Sequence, residues 1–199
     1  MKRVVTAVVL LALLAATAWA QEAGGSGAAL PSGYTPHTFG GYGFSLVLPD
    51  SGTLTIPGSA DWKEDPAVAF EWRGGADDPV VLIQGRVDRF NEVALDAATF
   101  DAFCNTLLQN WSEDPAKYKV VTRNRRFEIA PFTWNLIEVE DYTKGTQPGQ
   151  LVSYSVFCTY QADAIYTLTM YYLTPVATGS EVSTVQEFGK PVLYSLNVT

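Results

Sequence analysis

The chain contains one histidine, His37, and two cysteines, Cys104 and Cys158. A Ser-His-Asp or Cys-His centre needs an imidazole held within hydrogen-bond reach of its nucleophile. His37 lies at the end of a Gly-, Ala-, Ser- and Pro-rich stretch, which offers no such hold. Two Cys and one His are too few and too scattered for a zinc site. Asp77 and Asp78 lie in the Gly-rich run Arg73 to Pro79, without EF-hand spacing, and read as turn chemistry. The glycines of Phe39-Gly40-Gly41-Tyr42-Gly43 lead into a strand with no Lys-Ser/Thr behind them, so they do not form a phosphate loop. Glu138, Glu140 and Asp141 could support paired-carboxylate hydrolysis. Strand alternation, however, sends Glu138 and Glu140 to one face and Asp141 to the other. Arg123, Arg125 and Arg126 sit on the preceding strand. With the hairpin centred on Pro131-Phe132, Arg125 faces Glu138 and Arg123 faces Glu140, and this cross-strand pairing is preferred over an anion site. No catalytic residue, metal ligand or cofactor site is expected.

These groups must be positioned by a sheet. Residues 151–173, LVSYSVFCTYQADAIYTLTMYYL, form the longest apolar stretch after the N-terminal leader and read as two strands joined at Gln161-Ala162-Asp163-Ala164. β-Branched and aromatic residues fill both strands. Val152, Tyr154, Val156, Cys158 and Tyr160 share one face, and the opposite face is semi-apolar, which places the hairpin near the centre of a covered sheet. Phe44 to Leu48 read as a strand stopped by Pro49, residues 50–66 as a long loop, and 67–72 and 80–87 as a strand pair. Tyr118–Ile129 and Trp134–Tyr142 read as another pair. Between the pairs, Asp96 caps a helix whose Phe100, Phe103, Cys104, Leu107, Leu108 and Trp111 recur at helical spacing. The stripe fits core packing against one face of the sheet. Ser183-Thr184-Val185-Gln186 matches a capping box for a last helix, interrupted by Gly189 and Pro191.

Residues 1–20 read as a signal peptide. Lys2-Arg3 precede the apolar run Val4–Ala16, and Ala18-Trp19-Ala20 is a cleavage site before Gln21. The run is too short for a good membrane anchor. Cleavage leaves 179 of the 199 residues and removes two of 13 basic residues and none of 21 acidic ones, so the net charge moves from −8 to −10. An acidic domain of this size repels nucleic acid and anionic lipid. Residues 21–38 read as a flexible tether and 39–199 as one domain. In a periplasmic or extracellular setting Cys104 and Cys158 form a candidate disulfide, with two buried thiols as the alternative. Asn110-Trp111-Ser112 and Asn197-Val198-Thr199 fit the glycosylation sequon, relevant only in a eukaryotic secretory route.

The element order is a strand, a strand pair, a helix, four strands in two hairpins and a terminal helix. With Tyr42-Gly43-Phe44-Ser45-Leu46-Val47-Leu48-Pro49, Ile165-Tyr166-Thr167-Leu168-Thr169 and Val192-Leu193-Tyr194-Ser195-Leu196-Asn197-Val198, it resembles the PsbP-like family, including bacterial DcrB-like exported proteins. The resemblance implies an α+β fold, an α/β/α sandwich with a central antiparallel sheet of about six to seven strands. Members serve as photosystem accessory subunits, envelope proteins and binding adaptors, so no single function is implied. The photosystem members use histidine and basic residues towards partners; with its one histidine in the tether, this chain takes over no such residue. The expected function is an exported, non-enzymatic binding or accessory domain of the cell envelope that contacts a protein partner, with Trp62, Trp72 and Tyr34 as the first candidates for that contact if exposed and as core residues otherwise. The alternatives are a small-molecule or lipid carrier, with a pocket between the 97–111 helix and the sheet, and a carboxylate-dependent hydrolase.

Overall fold

The computed structural model describes residues 31–59, 65–75, 80–90, 94–144, 150–175 and 182–199. The leader 1–20, the first part of the tether, Trp62 and Asp77-Asp78 lie outside them. Among the described residues ten strands and two α-helices follow in order: β1 (Tyr34–Phe39), β2 (Phe44–Pro49), β3 (Thr53–Thr55), β4 (Val68–Arg73), β5 (Leu82–Arg89), α1 (Ala97–Ser112), β6 (Tyr118–Ile129), β7 (Phe132–Asp141), β8 (Gln150–Gln161), β9 (Ala164–Pro175), α2 (Val182–Tyr194) and β10 (Asn197–Val198). A seven-stranded sheet runs β3-β4-β5-β9-β8-β7-β6 and is antiparallel throughout, and a three-stranded sheet runs β1-β2-β10.

The β8–β9 hairpin occupies the middle of the large sheet, where its apolar content places it. Its twelve-residue strands pair in unbroken register from Gln150↔Pro175 to Gln161↔Ala164. Both of its faces are buried because the sheet divides two cores. On one side α1 lays Phe100 and Cys104 against Ile137, Val139, Val152, Tyr154, Val156, Cys158 and Ile165. On the other, the small sheet supplies Phe39, Phe44, Leu46 and Leu48, and α2 supplies Val192 and Leu193, over Phe70, Trp72, Trp134, Leu168 and Met170. The sandwich expected from the sequence is present, with its second outer layer shared between a helix and a small sheet. Trp72 joins these layers, its indole Nε1 donating to the Pro49 carbonyl at 2.9 Å.

Local chemistry explains the boundaries. Asp96 accepts a hydrogen bond from the Thr99 N–H at 2.7 Å, satisfying one of the free amides that begin a helix. The apolar stripe of α1 faces the sheet, and burying Phe100 completely contributes about 2–3 kcal/mol. Three readings are corrected. The tether loses Tyr34 to Thr38 to β1, which β2 holds antiparallel, so His37 sits in a strand opposite Leu46. The 50–66 loop contains the short strand β3. The last helix runs through Gly189 and Pro191 to Tyr194. A Cβ at Gly189 would meet Met170 Sδ at 2.6 Å, so the glycine lets the helix settle close to β9, and tertiary packing overrides the local breaking tendency.

Gly85 plays a similar part within the sheet. It lies opposite Phe70, whose ring covers the space a Cβ would take. Gly85→Ala is expected to cost about 1–3 kcal/mol by forcing that ring into the fully packed core, read as a lower denaturation midpoint with an unchanged denaturant slope. A loss below about 0.5 kcal/mol would mean that the ring moves freely.

Candidate functional site

On the α1 side a polar cleft of about 280 Å³ opens where α1 meets β6, lined by Asp101, Cys104, Asn105, Asn124 and Arg126. Arg126 ion-pairs with Asp101, and its guanidinium lies 4.7 Å from the centre of the Phe100 ring. This arrangement ties β6 to the helix through charge and a cation–π contact. A chain of carboxamides continues inward. Asn124 Nδ2 donates to Asn105 Oδ1 at 2.7 Å, and Asn135 Nδ2 donates to Asn124 Oδ1 at 3.1 Å. Asn135 is fully buried, and its Oδ1 accepts no hydrogen bond among the described residues. Asn124 adopts a left-handed φ of 46°, a conformation asparagine tolerates better than most residues.

Behind the carboxamides lie the two thiols. Cys104 projects from the inner face of α1, and Cys158 lies on β8 directly opposite Asn135 of β7. Both are buried and both are free. Cys158 Sγ is 3.7 Å from Thr167 Oγ1. Contact with Cys158 lowers the Cys104 thiol below its ordinary value against the opposing effect of burial, and the Asn135 carboxamide adds to the lowering. Cys158 moves the opposite way, raised by its Cys104 neighbour and by complete burial.

The charged β6–β7 hairpin differs from its expected pairing. The turn falls at Ala130-Pro131, one residue earlier than expected, so Ile129 faces Phe132 and Arg125 faces Leu136. Register shifts between Val120 and Thr122, and between Thr122 and Arg125, then move the rest of the ladder. Glu138 faces Thr122 and accepts a hydrogen bond from its hydroxyl, while Glu140 faces Lys119 and pairs with it at 3.0 Å. Arg123 and Arg125 are therefore not matched to these carboxylates. Both are exposed on the edge strand, and among the described residues neither forms an ion pair.

Asp141 is spent on structure. Burial pushes its carboxyl up, but bonds from Thr143 N at 2.9 Å, Thr143 Oγ1 at 2.7 Å and Tyr154 Oη at 2.8 Å, with the Lys144 charge nearby, outweigh that and leave it below its ordinary value. A general acid needs the reverse shift. Glu138 Oε1 and Ser155 Oγ, opposite one another on β7 and β8, are buried and make no hydrogen bond among the described residues.

Of the three aromatic candidates for partner contact, Trp62 lies outside the described residues and Trp72 is not at the surface. Trp72 is 1% exposed and belongs to the core, because strand alternation turns it inward under Pro49. Tyr34 is half-buried, its hydroxyl donating to the Phe188 carbonyl at 3.2 Å and its ring 6.5 Å from that of Phe188. His37 borders a shallow, largely apolar cleft of about 300 Å³ with Phe39, Tyr42, Leu54, Ile56 and Ala69. Among the described residues no group of three His, Cys, Asp or Glu side chains could hold a metal, and no helix is long and apolar enough to cross a membrane. Sequence reading missed the carboxamide chain. Its one signal was Asn135, a polar residue inside the apolar run Trp134-Asn135-Leu136-Ile137.

No sequence-family model and no curated protein matches this chain. Solved structures do match it. The solution structure of cyanobacterial PsbP (CyanoP) from Synechocystis sp. PCC 6803 aligns with a TM-score of 0.54 at 12% identity, over 88% of this chain and 98% of that one. The Saccharomyces cerevisiae Ran-binding protein Mog1p aligns with a TM-score of 0.54 at 12% identity, over 83% of this chain and 95% of that one. The architecture is therefore an α+β sandwich of the PsbP-like kind, as the resemblance implied.

Proposed function

We propose that this chain is an exported, non-enzymatic binding domain of the cell envelope that engages a protein partner. The observation that carries the reading is the β6 edge, where Arg123 and Arg125 stand exposed with no ion-pair partner among the described residues, on a chain of net charge −8. Two guanidinium groups with free donors suit carboxylates on a partner, and opposite potentials steer such an encounter. The fold suits the role, since one of its structural neighbours is a Ran-binding protein. Two of the carboxylates weighed for catalysis are committed elsewhere, Asp141 to Tyr154 and Thr143 and Glu140 to Lys119, and His37 is held in β1 opposite Leu46. The N-terminal leader and its Ala18-Trp19-Ala20 site support export, and the cysteine pair suits an oxidising compartment. The carrier reading gains nothing from the α1–sheet interface, where Phe100 and Cys104 pack directly on the sheet and the flanking cleft is polar.

Cross-linking the mature chain in its native envelope, with mass spectrometry of what it retains, tests the proposal. One reproducible protein partner is expected. Arg123→Glu with Arg125→Glu should reduce its capture about tenfold or more while leaving stability within about 0.5 kcal/mol, because neither arginine supports the fold. Absence of any partner, or equal capture by the doubly substituted chain, would count against this surface.

A further inference from the structure

Cys104 and Cys158 approach each other from different elements, one on the helix layer and one on the central sheet, where an apolar core meets a few buried polar side chains. Their surroundings are unequal. Cys104 lines the polar cleft beside Asn105, Asn124 and Arg126, whereas Cys158 lies beneath it, sealed between Asn135 of β7 and Thr167 of β9. The buried Asn135 carboxamide lies against the Cys104 thiol and keeps an unused acceptor there. A pair of thiols has two resting states, and this geometry gives each member a separate task.

We propose that Cys104 and Cys158 are a thiol–disulfide exchange pair, in which Cys104 is attacked through the cleft by a small-molecule disulfide and Cys158 resolves the product into a bond that staples α1 to the sheet. The Cys104 thiolate attacks one sulfur of the small disulfide. The disulfide's S–S bond breaks, its other half leaves as a thiolate, and a mixed disulfide forms on Cys104. The Cys158 thiolate then attacks Cys104 Sγ and expels the second half. The two protons of the cysteine thiols end on the two small thiols released, so the protein pair loses two electrons and the small disulfide gains them. Access sets this order, since Cys104 lines the cleft while Cys158 lies sealed in the sheet beneath it. A small reagent is required because Cys104 is only 1% exposed, and a cleft of about 280 Å³ leaves no room for a protein carrier's disulfide.

The test uses the reduced full chain with oxidised glutathione. After acid quench and denaturation, free thiols are blocked with N-ethylmaleimide and masses are read on the intact chain and its peptides. The expected product carries no maleimide, weighs two hydrogens less than the reduced chain and yields one peptide joining Cys104 to Cys158. Its thermal midpoint should rise by on the order of 10 °C, since the bond closes a long loop in the unfolded chain. In Cys158→Ser, glutathione should remain on Cys104. In Cys104→Ser, Cys158 should stay unmodified while the chain is folded. Two maleimides on the wild-type chain after prolonged exposure would overturn the proposal, as would only intermolecular bonds or equal reaction of the two single variants. The wild-type masses decide the matter even where a serine variant does not fold.

Discussion

Trp72→Ala is expected to cost about 3–5 kcal/mol, the range for truncating a large aromatic that the surrounding core cannot replace. The indole is 1% exposed, and its Nε1–H satisfies the Pro49 carbonyl, so truncation leaves both a cavity and an unpaired acceptor. The site matters more than its area suggests, because Trp72 belongs to β4 of the large sheet while Pro49 ends β2 of the small one. Its ring also lies 5.9 Å from that of Phe188 on α2, so the large sheet, the small sheet and α2 meet on one side chain. Equilibrium denaturation of the variant should show a lower midpoint, and near-ultraviolet circular dichroism should show weakened aromatic signals. A loss below about 1.5 kcal/mol would mean that the small sheet is only loosely docked.

The second large effect concerns Asp141. Asp141→Ala removes a buried carboxylate that accepts three hydrogen bonds and leaves the Tyr154 hydroxyl buried without its acceptor, a loss on the order of 3 kcal/mol. The same group sets an acid limb. Its folded value lies below the ordinary aspartate value of about 3.9, so its contribution is fully present above that value and disappears as pH falls through the lowered folded value. Asp141→Asn should be less stable than the wild type at neutral pH and lose less of its stability on acidification. Measuring the denaturation midpoint from pH 7 down to pH 2 checks this. Parallel curves for the two chains would assign the acid limb to other carboxylates. The Tyr154 phenol is raised chiefly by its own burial, with the Asp141 carboxylate adding to it, and so remains a donor throughout this range.

Much of the architecture was legible because it rests on periodicity. The β8–β9 strands showed an apolar face and a semi-apolar one, and they sit at the centre of the large sheet. The Phe100-to-Trp111 stripe defined a helix, and that helix packs where its stripe points. The small sheet was not legible. His37 and Thr38 belong to a strand only because β2 pairs with them, and the local Gly- and Pro-rich composition argued for a tether. The arginine surface was hidden for a sharper reason. Pairing Arg125 with Glu138 depended on a turn placed at Pro131-Phe132. Moving that turn one residue and adding two irregularities moved every charge on β6 to a new neighbour. Single residues such as Trp72, by contrast, could be read as exposed or core with equal ease, because alternation fixes relative faces and not which face is inside. The carboxamide chain Asn105–Asn124–Asn135 joins residues far apart in sequence, and only the folded register brings them together.

The two margins of the large sheet carry a further consequence for a chain at high concentration. One margin, β3, spans only Thr53 to Thr55. The other, β6, is long, but it is broken twice by register shifts, reversed locally at Asn124 and studded with cations. Neither margin offers a flat run of backbone donors and acceptors on which a second copy could stack. Edge-to-edge pairing of crowded copies through the large sheet, the route by which an exposed margin extends towards a fibre, is therefore disfavoured at both margins.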